Sequence, residues 1–381
     1  MQIQGYFDLR FESVKDVFAA SFNGNGQRGG AICVKVGGET VIDLWAGTAD
    51  NAGERAWDSD TLVNLFSCTK TFTGVAALQL VAEGKLELDA PVARIWPEFG
   101  VNGKERITLR QLLCHRAGVP ALREVLPAAA LFDWTAMTTA LASEHPWWTP
   151  GEGQGYAPLA YGWLLGELIR RIDGKEPGKA IMARVAEPFG LDFHLGLSDA
   201  DISRVAYLVR GRNDFGDAGA QRLMKTIQSD PTSLSGRAFN NPPGLMNSGN
   251  KPEWLRFTQP AANGHANARA VAGFYDALLH ERLLDRALLA EMTREHSLGE
   301  DRTLLAHTRF GLGCWLDQPQ ANATFGLGPQ SFGHPGAGGC LGFADPERDV
   351  AFGYVTNTLG PYVLMDPRAQ ELARAVGCCL A

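Results

Sequence analysis

NLFSCTKTFTGVAALQLV, residues 64–81, is the stretch around which the rest of the chain is read. It holds Ser67 and Lys70 in an S-x-x-K arrangement, followed at once by Phe72, Val75, Ala76, Leu78, Leu80 and Val81 at helical i, i+3, i+4 spacing. A helix that begins near Ser67 carries the Lys70 side chain one turn on, over the same face as the serine. A serine hydroxyl is a weak nucleophile at neutral pH and needs a base to take its proton. An amine one turn away is a base of that kind, which makes Ser67 a candidate nucleophile. Gly84, just past the periodic run, suits a helix C-terminus.

The motif by itself is not specific, because with 13 Ser and 9 Lys in 381 residues chance alone supplies roughly 0.3 matches. A second match does occur, at Ser248 and Lys251, but it sits in NPPGLMNSGNKPEW among Pro, Gly and Asn, where no helix can carry the pairing. Ser67 is the match with the right context.

Outward from this stretch, both ends of the chain read as sheet and the middle reads as helix. RFESVKDVFAASF (10–22) predicts an N-terminal helix. AICVKV (31–36), a Gly-Gly-Glu turn and TVIDLWAG (40–47) predict a β-hairpin. From about 85 to 300 helical patterns alternate with Pro/Gly punctuation, and strand signals are sparse. They return from about 308, in RFGLGCWL, QSFGHPGAGG and CLGFADPERDVAFGYVTN, before a last helix at roughly 361–379. The expected fold is α/β (α+β). Residues 1–84 and 300–381 form a mostly antiparallel sheet with the terminal helices packed on it, and 85–299 an inserted, mainly α-helical domain. An active site is expected in the cleft between them.

Composition narrows the class. Apolar residues are 45% and charged residues 20%, with a formal net charge of −7 and no Lys/Arg run, which argues against nucleic acid or an anionic membrane as partner. The N-terminal residues lack the apolar core of a signal peptide, and no apolar stretch approaches ~18 residues, so a cytoplasmic location is expected. The seven cysteines are scattered without a C-x-x-C pair and read as buried hydrophobes or stray thiols. The eight histidines include no H-E-x-x-H or H-x-x-E-H, so no metal and no cofactor are expected. Oligomeric state is not legible.

Two further elements carry candidate chemistry. Tyr156, in Gly155-Tyr156-Ala157-Pro158 ahead of a helix, can aim its hydroxyl into a cleft, where a nearby ammonium would favour ionisation below the ordinary phenol pKa of about 10. His334-Pro335-Gly336-Ala337-Gly338-Gly339 allows a close backbone approach by substrate and offers an amide to an oxyanion. Trp147, Trp148, Phe66 and Trp315 are candidate pocket walls.

Together Ser67-x-x-Lys70, Tyr156-Ala157-x and the His334-x-Gly336 element, in this order, resemble the penicillin-recognising serine hydrolases: class C β-lactamases, D,D-peptidases and, most closely, the family VIII carboxylesterases. The likeness extends through VIDLWAGTAD (41–50), PVARIWPEF (91–99), ITLRQLLCHRAGV (107–119), GYAPLAYGWLLGELIRR (155–171), PAANGHANA (260–268) and FGHPGAGGCLGFADPE (332–347). The resemblance implies the β-lactamase/transpeptidase-like fold and an acyl-enzyme on Ser67, with Lys70 and Tyr156 sharing the base work. It implies an oxyanion hole from the Ser67 and Ala337 N–H groups, and His334 and Gly336 beside the substrate. The expected substrate is a small, uncharged, short-acyl ester. A β-lactamase, D,D-peptidase or acyltransferase with the same Ser-Lys-Tyr site is the alternative. Three departures weigh against β-lactam turnover: Ala157-Pro158 lacks the amide of Tyr-x-Asn, His334 replaces the lysine of Lys-Thr-Gly, and Pro335 replaces its threonine. With an ordinary pKa near 6.5, His334 would be mostly neutral at pH 7–8 and gain charge toward pH 6. The α/β-hydrolase route to an esterase is excluded, since no G-x-S-x-G elbow is present.

Overall fold

The β-branched runs at 31–36 and 40–47 turn back on each other through Gly37 and Gly38, both at positive φ (58° and 82°), a conformation open to glycine without strain. This hairpin is part of the main sheet in the computed structural model, which describes residues 2–24, 26–211, 218–244, 248–319, 323–362 and 365–381. Among the described residues nine strands, all paired antiparallel, make that sheet. They are β1 (Gln4–Phe7), β2 (Gly29–Val36), β3 (Glu39–Gly47), β4 (Ser297–Asp301), β5 (Ala306–Phe310), β6 (Trp315–Leu316), β7 (Phe332–Pro335), β8 (Leu341–Asp345) and β9 (Val350–Thr356). The spatial order is β1-β3-β2-β9-β8-β7-β6-β5-β4. The two ends of the chain therefore meet at β2 and β9, with Cys33 opposite Gly353. Strands β1 and β4, the two edges, escaped the pattern reading.

Alternation along the central strands builds two different faces. Ile32, Val34, Phe343, Phe352 and Tyr354 point to one side, where they pack with Phe11 in the 3₁₀ turn Leu9–Phe11, with Val14 and Phe18 of α1 (Glu12–Gly24) and with C-terminal Leu372 and Val376. Ala31, Cys33, Ala344 and Ala351 point to the other side, toward the core that holds α2 (Thr69–Ala82). The small residues on that face admit a helix at close range. A Cβ on Gly353 would lie 2.5 Å from the Ala268 carbonyl oxygen and 2.8 Å from the Ala272 nitrogen, and one on Gly342 would lie 2.6 Å from Val271. The helix seated there runs Ala268–Leu279, within the interval that the sequence assigned to the helical part. The C-terminal helix runs Pro367–Cys379, starting later than expected, with Asp366 as its N-cap.

Helix α2 differs from the sequence reading in one respect. Its apolar stripe predicts one buried face, yet the helix is buried from Thr69 to Leu78 on every side. The polar positions are accommodated because the 260–264 segment runs beside them. Thr73 Oγ1 donates to the Pro260 carbonyl at 2.6 Å, and Thr69 Oγ1 accepts from the Gly264 N–H at 2.9 Å. Phe72 is stacked between Phe193 (4.1 Å between centroids) and Phe274 (3.8 Å). Gly84 closes the helix at φ 69°, as expected of a C′ glycine. Five of the seven cysteines are buried (33, 68, 114, 314 and 340). Among the described residues no helix is long and apolar enough to cross a membrane.

Because Gly353 faces helix backbone rather than a flexible side chain, Gly353→Val should lower the unfolding free energy by ~1–3 kcal/mol, the usual range for overpacking. Urea unfolding at an unchanged m-value reads it. An unchanged midpoint would mean that the 268–279 helix is not seated against β9.

Candidate active site

Ser67 lies in a 3₁₀ turn, Phe66–Cys68, that feeds directly into α2. Phe66 turns the chain at φ 47°, a strained conformation for a residue with a side chain, and is held there by its surroundings. The Leu65 N–H donates to the Gly264 carbonyl at 2.8 Å, Thr69 Oγ1 donates to the Phe66 carbonyl at 2.6 Å, and Cys68 Sγ donates to the His334 carbonyl at 3.0 Å. The turn is thus pinned from two sides, by the 260–264 segment and by β7.

The two expected partners of Ser67 reach it. Lys70 Nζ is 3.2 Å and the Tyr156 hydroxyl 2.7 Å from Ser67 Oγ. Lys70 is 0% exposed, and its amine also contacts the carbonyl oxygens of Pro158 (2.8 Å) and Ala261 (3.0 Å). Burial holds the amine well below the usual lysine pKa, and no carboxylate acts on it to offset that. The geometry satisfies both protonation states. A neutral amine gives its two N–H groups to the carbonyls and turns its lone pair to the Ser67 hydroxyl. An ammonium has three N–H groups for the same three acceptors.

Tyr156 behaves differently from the sequence expectation. Burial pushes its phenol above the ordinary pKa of about 10, and the hydrogen bond to Ser67 offsets this only in part. The ammonium expected to lower it belongs to a lysine whose charged form burial itself disfavours. Tyr156 is therefore a proton donor to Ser67 Oγ, and the order of the hydrogen-bonded chain is tyrosine to serine to lysine.

The sequence reading missed the groups that hold Tyr156. Asp301 at the end of β4, 1% exposed, accepts the Tyr156 N–H at 2.9 and 3.0 Å together with the N–H groups of Thr303 (2.9 Å) and Leu304 (2.8 Å). His115, at φ 61°, accepts the Ala157 N–H on Nδ1 at 3.3 Å and the Gly155 N–H on its carbonyl at 3.0 Å. Its ring lies 4.8 Å from that of Tyr156, and burial followed by the nearby Lys70 lowers its pKa. His115 was quoted only within a longer likeness. Asp301 sits in Gly-Glu-Asp-Arg, which reads as a solvated turn and carries no signal of burial.

The third element also comes to Ser67. A Cβ on Gly336 would lie 2.3 Å from the Leu65 carbonyl oxygen, so this glycine is what lets the turn after β7 close on the segment before the nucleophile. Within the turn the Gly336 N–H donates to the Cys340 carbonyl (2.7 Å), the Gly338 N–H to Tyr362 (3.5 Å) and the Gly339 N–H to Gly336 (3.1 Å). Ala337, between them, is exposed, and its N–H takes no part in these bonds. His334 is 2% exposed. Its Nδ1 donates to the Pro335 carbonyl at 2.7 Å, leaving Nε2 as a bare acceptor without a partner. Burial, then the Lys70 amine, hold its pKa well below the usual histidine range. The expected gain of charge toward pH 6 is thereby overturned, because an imidazolium here would be desolvated next to a lysine.

Of the aromatic candidates, Phe66 alone is half-exposed beside Ser67. Trp315 is buried behind Tyr156, Trp148 lies against Gly155, and Trp147 donates to the Ala121 carbonyl at 2.9 Å. Ser248, the competing S-x-x-K serine, is buried and donates to the Gly244 carbonyl at 2.6 Å.

Comparison with known proteins identifies the family and the fold. Residues 14–376 match the beta-lactamase family. The chain is 35% identical over 375 residues to the esterase/beta-lactamase LipL of Mycobacterium tuberculosis, covering 96% of this chain and 85% of that protein. Among solved structures, a penicillin-binding protein homologue from Caulobacter crescentus superposes with a TM-score of 0.89 at 35% identity, and a family VIII carboxylesterase with 0.88 at 32%, each covering 100% of both chains. The chain belongs to the beta-lactamase family and is a serine hydrolase built on that fold.

Proposed function

We propose that the enzyme is a carboxylesterase that hydrolyses small, uncharged, short-acyl esters through an acyl-enzyme on Ser67. One observation carries the reading: Ser67 Oγ is bonded at once by a buried amine and a buried phenol, at 3.2 and 2.7 Å. Lys70, neutral at rest, takes the Ser67 proton as Oγ attacks the ester carbonyl carbon. The N–H groups of Ser67 and Ala337 receive the oxyanion, aided by the N-terminal end of α2. Tyr156 gives its proton to the departing alkoxide and is restored from the Lys70 ammonium. Water then attacks the acyl-enzyme while the same pair takes its proton, and collapse returns the proton to Ser67 Oγ. His115 and Asp301 hold the Tyr156 segment in place.

The uncharged preference follows from electrostatics. A substrate carboxylate meets no cation in the third element, where His334 is neutral and buried, and Ala157-Pro158 offers no amide side chain. LipL is an esterase/beta-lactamase, so a chromogenic cephalosporin belongs in the assay beside the ester.

Ser67→Ala should abolish p-nitrophenyl butyrate hydrolysis and labelling by a fluorophosphonate, while Ser248→Ala should leave both intact; label on the Ser248 peptide would sink the assignment.

Removing Lys70 or Tyr156 should lower kcat by ~10²–10⁴, with the double variant little worse than the poorer single. Lys70→Arg should not rescue, since a guanidinium does not accept the proton.

The pH profile follows from the directions of the two shifts. Lys70 must be unprotonated and its pKa is lowered, so kcat/KM rises with pH through an ionisation below 10.5. Tyr156 must be protonated and its pKa is raised, so no fall appears before about pH 10. A decline between pH 7 and 9, measured against the Ser67→Ala blank, would show that Tyr156 does not act as the acid.

Because His334 does not charge, the nitrocefin to p-nitrophenyl butyrate ratio of kcat/KM should stay low and flat from pH 6 to 8. A rise toward pH 6 would show His334 titrating against an anionic substrate, and a ratio near one would mark a β-lactamase.

A further inference from the structure

Arg368 and Asp366, at the start of the C-terminal helix, lie far in sequence from all three motifs and have no part in the reaction described above. Their side chains are 7% and 3% exposed and form an ion pair at 2.7 Å. Arg368 Nε donates to Asp366 Oδ1 at 2.9 Å, and its Nη2 reaches past the acid to the carbonyl oxygens of Gly338 (2.9 Å) and Thr358 (3.0 Å). The Gly338 carbonyl takes a second donor, the Gly360 N–H, at 2.9 Å. Glycines make room for the pair. A Cβ on Gly339 would lie 2.6 Å from Arg368 Nη2, and one on Gly360 would lie 2.4 Å from Asp366 Oδ2.

Stability alone does not account for this arrangement, since replacing a buried ion pair by apolar side chains of similar volume is often neutral or stabilising. What the pair holds is the residue next to Ala337. Gly338 and Gly339 stand at φ 90° and 131°, and a turn built on two such glycines is intrinsically loose. An oxyanion donor contributes only when it already points at the developing charge. Two donors converging on the Gly338 carbonyl fix the 338–339 peptide, whose own N–H, that of Gly339, donates at 3.1 Å to the Gly336 carbonyl; that carbonyl shares its peptide plane with the Ala337 N–H, so the clamp sets the direction of this donor.

We propose that Arg368 and Asp366 are positioning residues for the oxyanion hole, clamping the 336–339 turn so that the Ala337 N–H faces the Ser67 adduct. The proposal rests on the reading of Ala337 as an oxyanion donor.

The test uses the full chain with Arg368→Lys and the apolar double variant Arg368→Met/Asp366→Leu. For each, kcat and KM on p-nitrophenyl butyrate are measured beside the affinity for a trifluoromethyl ketone, whose adduct places an oxyanion in the hole, and for the corresponding unreactive alcohol. The double variant should stay folded, with a midpoint lowered by no more than loss of the Asp366 N-cap explains, and keep KM within about threefold. Its kcat should fall ~10–10²-fold, short of the 10²–10³ that loss of a donor outright produces. Ketone affinity should fall in parallel while alcohol affinity stays put, and Arg368→Lys, which keeps one donor, should fall between. A purely structural role would not separate the ketone from the alcohol. Folded double variant with kcat and ketone affinity within twofold of wild type would overturn the proposal, as would a kcat loss without a loss of ketone affinity. If the double variant does not fold, Arg368→Lys decides by the same ketone-to-alcohol comparison. A ketone bound equally well by Ser67→Ala would instead overturn the reading of the site, and the proposal with it.

Discussion

The arrangement depends on a lysine buried without a counter-ion. An ammonium in such a place is expensive to desolvate, so burial holds the Lys70 pKa well below the usual lysine value and brings the amine closer to use as a base. Two backbone carbonyls make the burial tolerable, and they come from two separate segments, Pro158 just ahead of the Ala160–Asp173 helix and Ala261 just ahead of the 268–279 helix. The amine is therefore where the helical part and the sheet-side helix are joined through α2. Carbonyls rather than carboxylates are the suitable partners. An acid at hydrogen-bonding distance would stabilise the ammonium and remove the base.

How much of this was legible depended on distance along the chain. Ser67 and Lys70 are one helical turn apart, so helix periodicity alone predicts their contact, and the hairpin at 29–47 is equally local. Tyr156 lies 89 residues from Ser67, and nothing in its own neighbourhood declares that its hydroxyl meets a serine; only the combination of three weak motifs did. The joining of β2 to β9, more than 300 residues apart, was inferred from strand signals at both ends rather than from any pairing signal. What stayed hidden are residues whose role is set by burial against the pattern of their surroundings. Asp301 sits among charged neighbours and Arg368 follows Asp-Pro at a helix start, yet both are buried and bonded to backbone. The apolar stripe of α2 gives no sign that Thr69 and Thr73 are buried as well, because their hydrogen-bonding partner, the 260–264 segment, is distant in sequence.

Local strain gathers where the site needs direction. Among the described residues six non-glycine positions have positive φ, and Asn102 and Asp349 are types that take this conformation readily in turns. His115 is another such type, whereas Phe66, like Glu281 and Leu305, is not; Phe66 and His115 flank the site, one preceding Ser67 and the other holding the Tyr156 segment. Left-handed bulky residues persist only when packing and hydrogen bonds over-determine them. Here the bonds responsible are those that bring the segments together: Thr69 to the Phe66 carbonyl, and Gly155 and Ala157 to His115.

Electrostatics and strain thus point the same way. Lys70, His115 and His334 are three basic groups in one buried region: burial lowers the pKa of all three, the Lys70 amine lowers both histidines further, and His334 also lowers His115. A second cation there would add like-charge repulsion to the desolvation penalty, so the region disfavours more than one proton among these three groups. The same burial removes any fixed positive charge from the substrate side of the third element. On the proposed reading, a base that needs uncharged surroundings leaves little with which to hold an anionic substrate, so the proposed catalysis and the proposed substrate preference rest on one physical choice.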